Sequence, residues 1–361
     1  MIRKNKFKIA LIGDCLALGG AEKVHARLSI YFKSKRIEVH NVIFQDIINY
    51  EYSGKLLNLG LLSTNNTFDK LKRLYLLRNY LHKNKFDAII DFRYRVNAIN
   101  EILISKFVYN IQAIYTVHSG IIENYIPKNK FLAKMIYGKH KIVTVSKAIE
   151  IKIKERLKFD IQTINNPFDL KLINDLSLEF IPNEKKYIVA VGRMNERVKQ
   201  FDKLIDAYAV SELPKNSIKL LIIGDGKLIN ELITQVKNLN LSDKIIFKYY
   251  QNNPKPYFKN AVFTVLSSQN EGLPNVLVES LATGTPVVSF NCFSGPNEII
   301  KNEVNGLLVE DQNLEKLTQA INRMINDQEL YNNCKMNAIE SVEKFSIENI
   351  SKQWLNLLQI N

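Results

Sequence analysis

The chain has 361 residues, 46% of them hydrophobic and 24% charged, with a net charge of +14. That length and balance suit two globular domains and exclude a disordered or fibrous chain. No apolar run approaches the ~20 residues that span a bilayer. Cys15, Cys292 and Cys334 are too scattered for a disulfide framework or a zinc site, which fits a reducing cytoplasm.

In chain order, a basic start from Met1 to Lys8 precedes the apolar run 9–13. That run is too short for a secretory signal and lacks a small-residue cleavage site, so it reads as the end of a first strand, 8–13. Further strands are expected at 38–44, 88–91, 112–117 and 142–145. A second set follows at 187–192, 218–223, 244–249, 261–266 and 286–290. Amphipathic stretches of helix length lie between them, and this alternation predicts an α/β protein with a parallel sheet in each half. The seam falls near Asn165-Asn166-Pro167-Phe168. The expected domains are 1–168 and 169–345, with a last helix over 346–361 that carries Trp354.

The charge is unevenly spread. Residues 1–168 hold 29 Lys and Arg against 13 Asp and Glu, a net of +16; the rest hold 21 against 23, a net of −2. Two stretches, 69–85 and 125–141, mix basic residues with Leu, Tyr, Phe and Met. Such helices read either as membrane-surface segments or as ordinary helices with lysines outward. No nucleic-acid reader motif is present.

The densest chemistry lies at 267–284, Ser-Ser-Gln-Asn-Glu-Gly-Leu-Pro-Asn-Val-Leu-Val-Glu-Ser-Leu-Ala-Thr-Gly. A strand runs into a polar loop, Gly272 and Pro274 open a helix, and Thr283-Gly284 end it. Glu271 sits at the helix N-terminus and Glu279 about one and a half turns inside. The amides of Gly272, Leu273 and Asn275 and the helix dipole suit a phosphate or sugar hydroxyls held between two carboxylates. Gly13 to Val24, with Gly19-Gly20, follows the first strand. It lets the backbone approach a diphosphate but lacks the dinucleotide fingerprint. Val191-Gly192-Arg193 ends another strand, with Arg197 and Lys199 close behind. Ligands bind at such strand ends. No Asp-x-Asp metal motif occurs. Tyr115 to Gly120 carries His118. Arg93 and Arg95, after Asp91, could hold an anionic acceptor or serve as structural partners of Asp91.

The Glu-x7-Glu spacing with Gly-x-Pro after its first Glu resembles the donor motif of retaining glycosyltransferase family four. The resemblance is strong over 187–310, diffuse before 165, and implies the GT-B fold: two Rossmann-like domains facing a cleft, the last helix crossing back to the first. It implies that Glu271 contacts donor-sugar hydroxyls and supports developing positive charge, that Glu279 holds the ribose, and that Gly272, Leu273 and Asn275 offer amides. Arg193 and Lys199 would grip the diphosphate; the usual Lys-Gly is here Lys199-Gln200, and Arg197 could share the role. Gly19 and Gly20 would face the phosphates and His118 the donor sugar or acceptor. Gly224, within Gly224-Asp225-Gly226, would let the nucleotide approach. The segment with Tyr250 would meet the base, although Tyr249 stands where relatives have Gly. The loop 291–300 resembles that of enzymes using UDP-sugars. The implied activity is metal-independent transfer of a hexose or N-acetylhexosamine, with retention, from a UDP-linked donor to a lipid-linked, lipopolysaccharide or capsule acceptor. No cofactor beyond the donor is expected. The implied place is the cytoplasm, peripheral on the anionic inner face of a bacterial plasma membrane. The alternative is a sugar-nucleotide epimerase or a non-catalytic sugar-nucleotide-binding protein of the same fold.

Overall fold

The computed structural model describes residues 6–17, 19–63 and 67–360. The basic start Met1 to Asn5 and Leu18 of the glycine-bearing loop lie outside them. The chain divides into two compact units, Met1–Pro167 with Ile347–Asn361, and Phe168–Ser346.

Among the described residues unit 1 contains seven strands: β1 (Lys8–Gly13), β2 (Glu38–Ile43), β3 (Lys55–Asn58), β4 (Ala88–Asp91), β5 (Ala113–Val117), β6 (Lys141–Thr144) and β7 (Ile161–Thr163). They lie in the order β3-β2-β1-β4-β5-β6-β7, and every pairing is parallel. Unit 2 contains β8 (Tyr187–Val191), β9 (Lys219–Ile223), β10 (Ile245–Lys248), β11 (Thr264–Leu266), β12 (Val287–Phe290) and β13 (Gly306–Val309). Their order, β10-β9-β8-β11-β12-β13, is again parallel throughout. Strands β1, β4, β5, β8, β9 and β12 are rich in Ile, Val, Leu and Ala and are buried almost throughout on both faces. That composition is what a parallel sheet covered by helices on both sides requires.

Each sheet reverses its winding once, between β1 and β4 in unit 1 and between β8 and β11 in unit 2. Loops leaving the C-terminal ends of the two strands diverge there, which opens a crevice for ligands. The loops after β8 and β11 carry Arg193, Lys199 and Glu271, so topology alone brings residues 72 positions apart to one spot.

The ten expected strands are present within three residues of their expected ends. Three were missed. β3 is an edge strand of four residues, β7 has three, and β13 begins on Gly306, where a Cβ would strike the Val287 carbonyl. None of the three is long enough to show a period. The last helix, Ile347–Leu357, belongs to unit 1. Ile350 and Trp354 enter the core formed by β1, β4 and the helix Gly20–Ser34, and burying such side chains is worth on the order of 1.5–3 kcal/mol each. The three cysteines are free and buried.

Candidate active site

In unit 2 the loop after β8 carries a short 3-10 turn, Arg197–Lys199. Lys199 Nζ donates to Glu271 Oε1 at 2.5 Å, and both side chains are largely shielded. The loop is fastened from beneath. Ser267 Oγ, just past β11, donates to the carbonyls of Lys199 (2.8 Å) and Gln200 (3.1 Å), and Gln269 N donates to Val198 O. Gln200 holds a left-handed backbone, φ 48° and ψ 45°. That conformation disfavours side chains with a Cβ by roughly 1–2 kcal/mol, a cost that the glycine implied here by the resemblance would avoid. Here the Gln200 amide meets the Gln312 side chain at 2.8 Å, which helps to hold the turn.

Gly224, after β9, has φ +143°, and a Cβ there would collide with the Gly192 carbonyl. Lys199 lays its methylenes over Gly192, about 3.2–3.3 Å from where a Cβ would stand. Two glycines and the stem of a lysine thus pack directly together. Arg193 is exposed beside them and makes no ion pair among the described residues.

The second acidic residue lies on the helix Asn275–Ala282. Pro274 is the residue before its first turn and gives no side-chain cap, so the helix starts one position later than expected. Glu279 is its fifth residue, little more than one turn inside, and only 4% exposed. The loop 291–296 braces this start: Ser294 Oγ donates to Gly272 O at 2.7 Å, and a Cβ on Gly295 (φ +94°) would clash with Pro274. Burial first, and the Glu271 charge second, push the Cys292 thiol up to about 12. A thiol so far from ionising is no nucleophile near neutral pH. Tyr249 and Tyr250 stand exposed beyond β10.

In unit 1, Gly19 is the residue before the helix Gly20–Ser34 and Gly20 is its first. The Glu22 carboxylate folds back over Gly19. It supplies negative charge at the helix N-terminus, the place that favours it. His118 follows β5. Burial, reinforced by the Arg95 charge, lowers its pKa to about 3, against a weaker upward pull from Asn166. It is therefore a neutral imidazole at physiological pH. Its ring lies 5.9 Å from that of Phe92, which stacks on His25 at 5.1 Å.

Arg93 and Arg95 take the structural alternative. Arg93 pairs with Asp91 at 2.7 Å and Glu101 at 3.0 Å, with all three buried. Arg95 donates to the carbonyls of Arg93 and Thr116 and lies 5.0–5.9 Å from the rings of Tyr115, Tyr125 and Tyr137. Burial would raise the Asp91 pKa, but the Arg93 and Arg95 charges and the hydrogen bonds from Arg93 and Tyr109 carry it below the usual range. Neither guanidinium is open to an acceptor. Arg197 turns to Glu231 (2.5 Å) and Asp202 (3.4 Å), so Lys199 is the cation beside Glu271. Sequence reasoning missed Ser267, Gln200 and Ser294 as braces of the site. Gln200 in place of the glycine that the resemblance implies after Lys199 was the available signal.

The family described as glycosyl transferases group 1 matches residues 177–341. Over 97% of its length the chain is 30% identical to 99% of the N-acetylgalactosamine-N,N'-diacetylbacillosaminyl-diphospho-undecaprenol 4-alpha-N-acetylgalactosaminyltransferase of Campylobacter jejuni. The chain belongs to the glycosyl transferases group 1 family. A second transferase of the same organism, the GalNAc-alpha-(1->4)-GalNAc-alpha-(1->3)-diNAcBac-PP-undecaprenol alpha-1,4-N-acetyl-D-galactosaminyltransferase, is 27% identical over 97% of this chain and 98% of its own. Among solved structures, the sucrose-phosphate synthase of Thermosynechococcus elongatus superposes with a TM-score of 0.82 at 21% identity, covering 98% of each chain. Anabaena HepE in complex with UDP gives 0.79 at 18%, covering 98% of this chain and 100% of that one. These likenesses establish the fold of this group 1 glycosyltransferase as GT-B, with two Rossmann-like parallel-sheet domains.

Proposed function

We propose that this glycosyltransferase moves a hexose or N-acetylhexosamine from a UDP-sugar to a lipid-linked or polysaccharide acceptor, with retention at the anomeric carbon and without a divalent metal. The observation that carries the reading is the shielded Lys199–Glu271 pair at the winding reversal of unit 2. A diphosphate there would share the Lys199 ammonium with Glu271 and draw in exposed Arg193. Two cations would then stabilise the charge that grows on the leaving group, the task a metal performs elsewhere. Glu271 would lie against the sugar and support positive charge developing at its anomeric carbon. Gly272, Leu273 and Asn275, at the positive end of their helix, favour the phosphates, and Glu279 would accept the ribose hydroxyls. Gly224 and Tyr250 would border the nucleotide. The attacking hydroxyl would arrive on the face the diphosphate leaves and hand its proton to the departing phosphate oxygen. This route uses no protein nucleophile, in keeping with the un-ionised Cys292 thiol.

Unit 1 would receive the acceptor, with Gly19, Gly20 and neutral His118 at its strand ends. The undecaprenol-linked acceptors in the names of both Campylobacter relatives favour a lipid-linked one. The excess positive charge of unit 1 favours a peripheral place on the anionic cytoplasmic face of a membrane. The test is a panel of nucleotide sugars read by thermal shift and donor hydrolysis, followed by transfer to membrane extracts with and without EDTA. Stabilisation by a UDP-sugar and EDTA-resistant transfer are expected. No response to any nucleotide sugar would refute the donor assignment, and manganese rescue of an EDTA-stopped reaction would refute metal independence.

A further inference from the structure

In unit 1 the connections β3 to β4, β4 to β5 and β5 to β6 all advance in one direction across the sheet. Right-handed crossovers therefore place their helices in one layer on one face. These helices are Thr67–Asn84, Ala98–Leu103 continued by Ile104–Val108, and Lys130–Tyr137, and they pack as neighbours. Arg78 Nε ties the first to the second through Phe107 O at 2.9 Å.

The outer side of this layer exposes large apolar side chains among its lysines. Ile99 and Leu103, four apart on Ala98–Leu103, lie on one helix face; Val96 stands just before its cap residue Asn97, and Phe107 lies on the wider turn Ile104–Val108 that follows. Val96, Ile99, Leu103 and Phe107 are exposed by 74%, 72%, 36% and 65%. Phe131 on the next helix is 70% exposed, and Leu71 and Tyr75, four apart on the preceding helix, are exposed by 60% and 61%. Large apolar side chains exposed together on neighbouring helices mark an interaction surface. Lys70, Lys72, Lys106, Lys130 and Lys134 are exposed on the same helices, and Lys128 just before the last of them. Arg73, by contrast, is half-buried and donates to Phe44 O, so it belongs to the fold.

We infer that Val96, Ile99, Phe107 and Phe131 form a ridge that inserts into an anionic lipid bilayer while the surrounding lysines meet its headgroups. The inference rests on the peripheral placement proposed above and names the surface that performs it. Apolar side chains ringed by lysines match the interfacial region of an anionic leaflet, with chains inside and phosphates outside. A second copy of the chain would instead set two strongly basic faces against each other. No helix among the described residues is long and apolar enough to cross a membrane, so attachment would be by such a face. Leu71, Tyr75, Val96, Ile99 and Phe131 sit in segments leaving the C-terminal ends of β3, β4 and β5, the end that also carries His118. Insertion would therefore bring the ligand end of the sheet down to the level of the lipid.

The experiment is co-sedimentation of the full chain with phosphatidylcholine vesicles, with and without phosphatidylglycerol, at low and high salt. One variant combines Val96→Ser, Ile99→Ser, Phe107→Ser and Phe131→Ser; a second changes the six exposed lysines to Gln. The parent should bind anionic vesicles and keep part of that binding in high salt. The serine variant should lose the salt-resistant part, with a partition lower by about tenfold or more. The glutamine variant should lose the preference for anionic lipid. A serine variant that partitions like the parent overturns the insertion while leaving peripheral charge attachment standing. A parent that ignores anionic vesicles, or a parent dimer that the serine changes convert to monomer, also overturns it. UDP binding by each variant, read by calorimetry, keeps the transferase reading separate from either result.

Discussion

The two units share a winding pattern and differ in nearly everything laid on it. Unit 2 is slightly acidic, contains none of the five histidines, and carries at its strand ends an exposed Arg193 and a Lys199 that pairs with the shielded Glu271. Unit 1 carries the whole charge excess and all five histidines, and its strand-end cations Arg93 and Arg95 are sealed under tyrosines and a glutamate. The family match of 177–341 falls inside unit 2. The same topology can therefore leave strand-end cations for the ligand proposed above or bury them in its own interior. What decides is whether distant aromatic and acidic side chains cover them.

The largest expected effect breaks that contrast from the side of unit 1. Asp91 receives Arg93 in two side-chain bonds and Tyr109 Oη at 2.7 Å. Asp91→Ala would leave buried guanidinium charge short of a partner, which costs about 3–5 kcal/mol. Trp354, the single tryptophan, lies in the unit 1 core, so its fluorescence reports that unit in urea unfolding. Its transition should move to markedly lower urea, and an unmoved transition would mean the cluster does not support the fold.

A somewhat smaller effect per residue comes from pH. Burial lowers His25 from 6.5 to about 4, opposed by its bond to Asn41 and by the Asp91 charge. Burial likewise lowers His118 to about 3 and His140 to about 4. Each folded pKa lies below the unfolded value, so the unfolded chain binds protons first. The stability from keeping these rings neutral is whole above about pH 6.5 and drains away as pH falls toward about 4. His25, fully buried, contributes roughly 3 kcal/mol of this over the full window. The Trp354 transition should thus weaken with acid across that range, while unit 2, lacking histidine, should not follow it there. Equal acid sensitivity of both units would sharpen the comparison against this account.

How much the sequence reveals also divides along the units. Long, Val- and Ile-rich central strands and the Glu271 to Gly284 segment are legible because strand run, loop and helix start follow one another locally. The Lys199–Glu271 pair is legible only through the resemblance, since the chain folds 72 residues back to make it. Ser267 and Ser294 carry no local pattern that marks them as braces. The roles of Arg93 and Arg95 stay open in the sequence because Glu101, Tyr109, Tyr115, Tyr125 and Tyr137, which bury them, come from later elements. Ile99 and Leu103 share a helix face, but their spacing alone does not tell a buried face from an outward one. Packing onto the sheet decides that.

The central claim is that unit 2 holds a nucleoside diphosphate between Lys199, Arg193 and the carboxylates of its winding reversal. The most direct measurement is a calorimetric titration of UDP into the parent, Lys199→Ala and Glu279→Ala, with unfolding curves confirming that both variants stay folded. Each substitution removes charge-assisted hydrogen bonds worth roughly 1.5–3 kcal/mol, so each should weaken UDP binding by about tenfold to a hundredfold. UDP affinities equal to the parent in both folded variants, or no binding by the parent, would contradict the account.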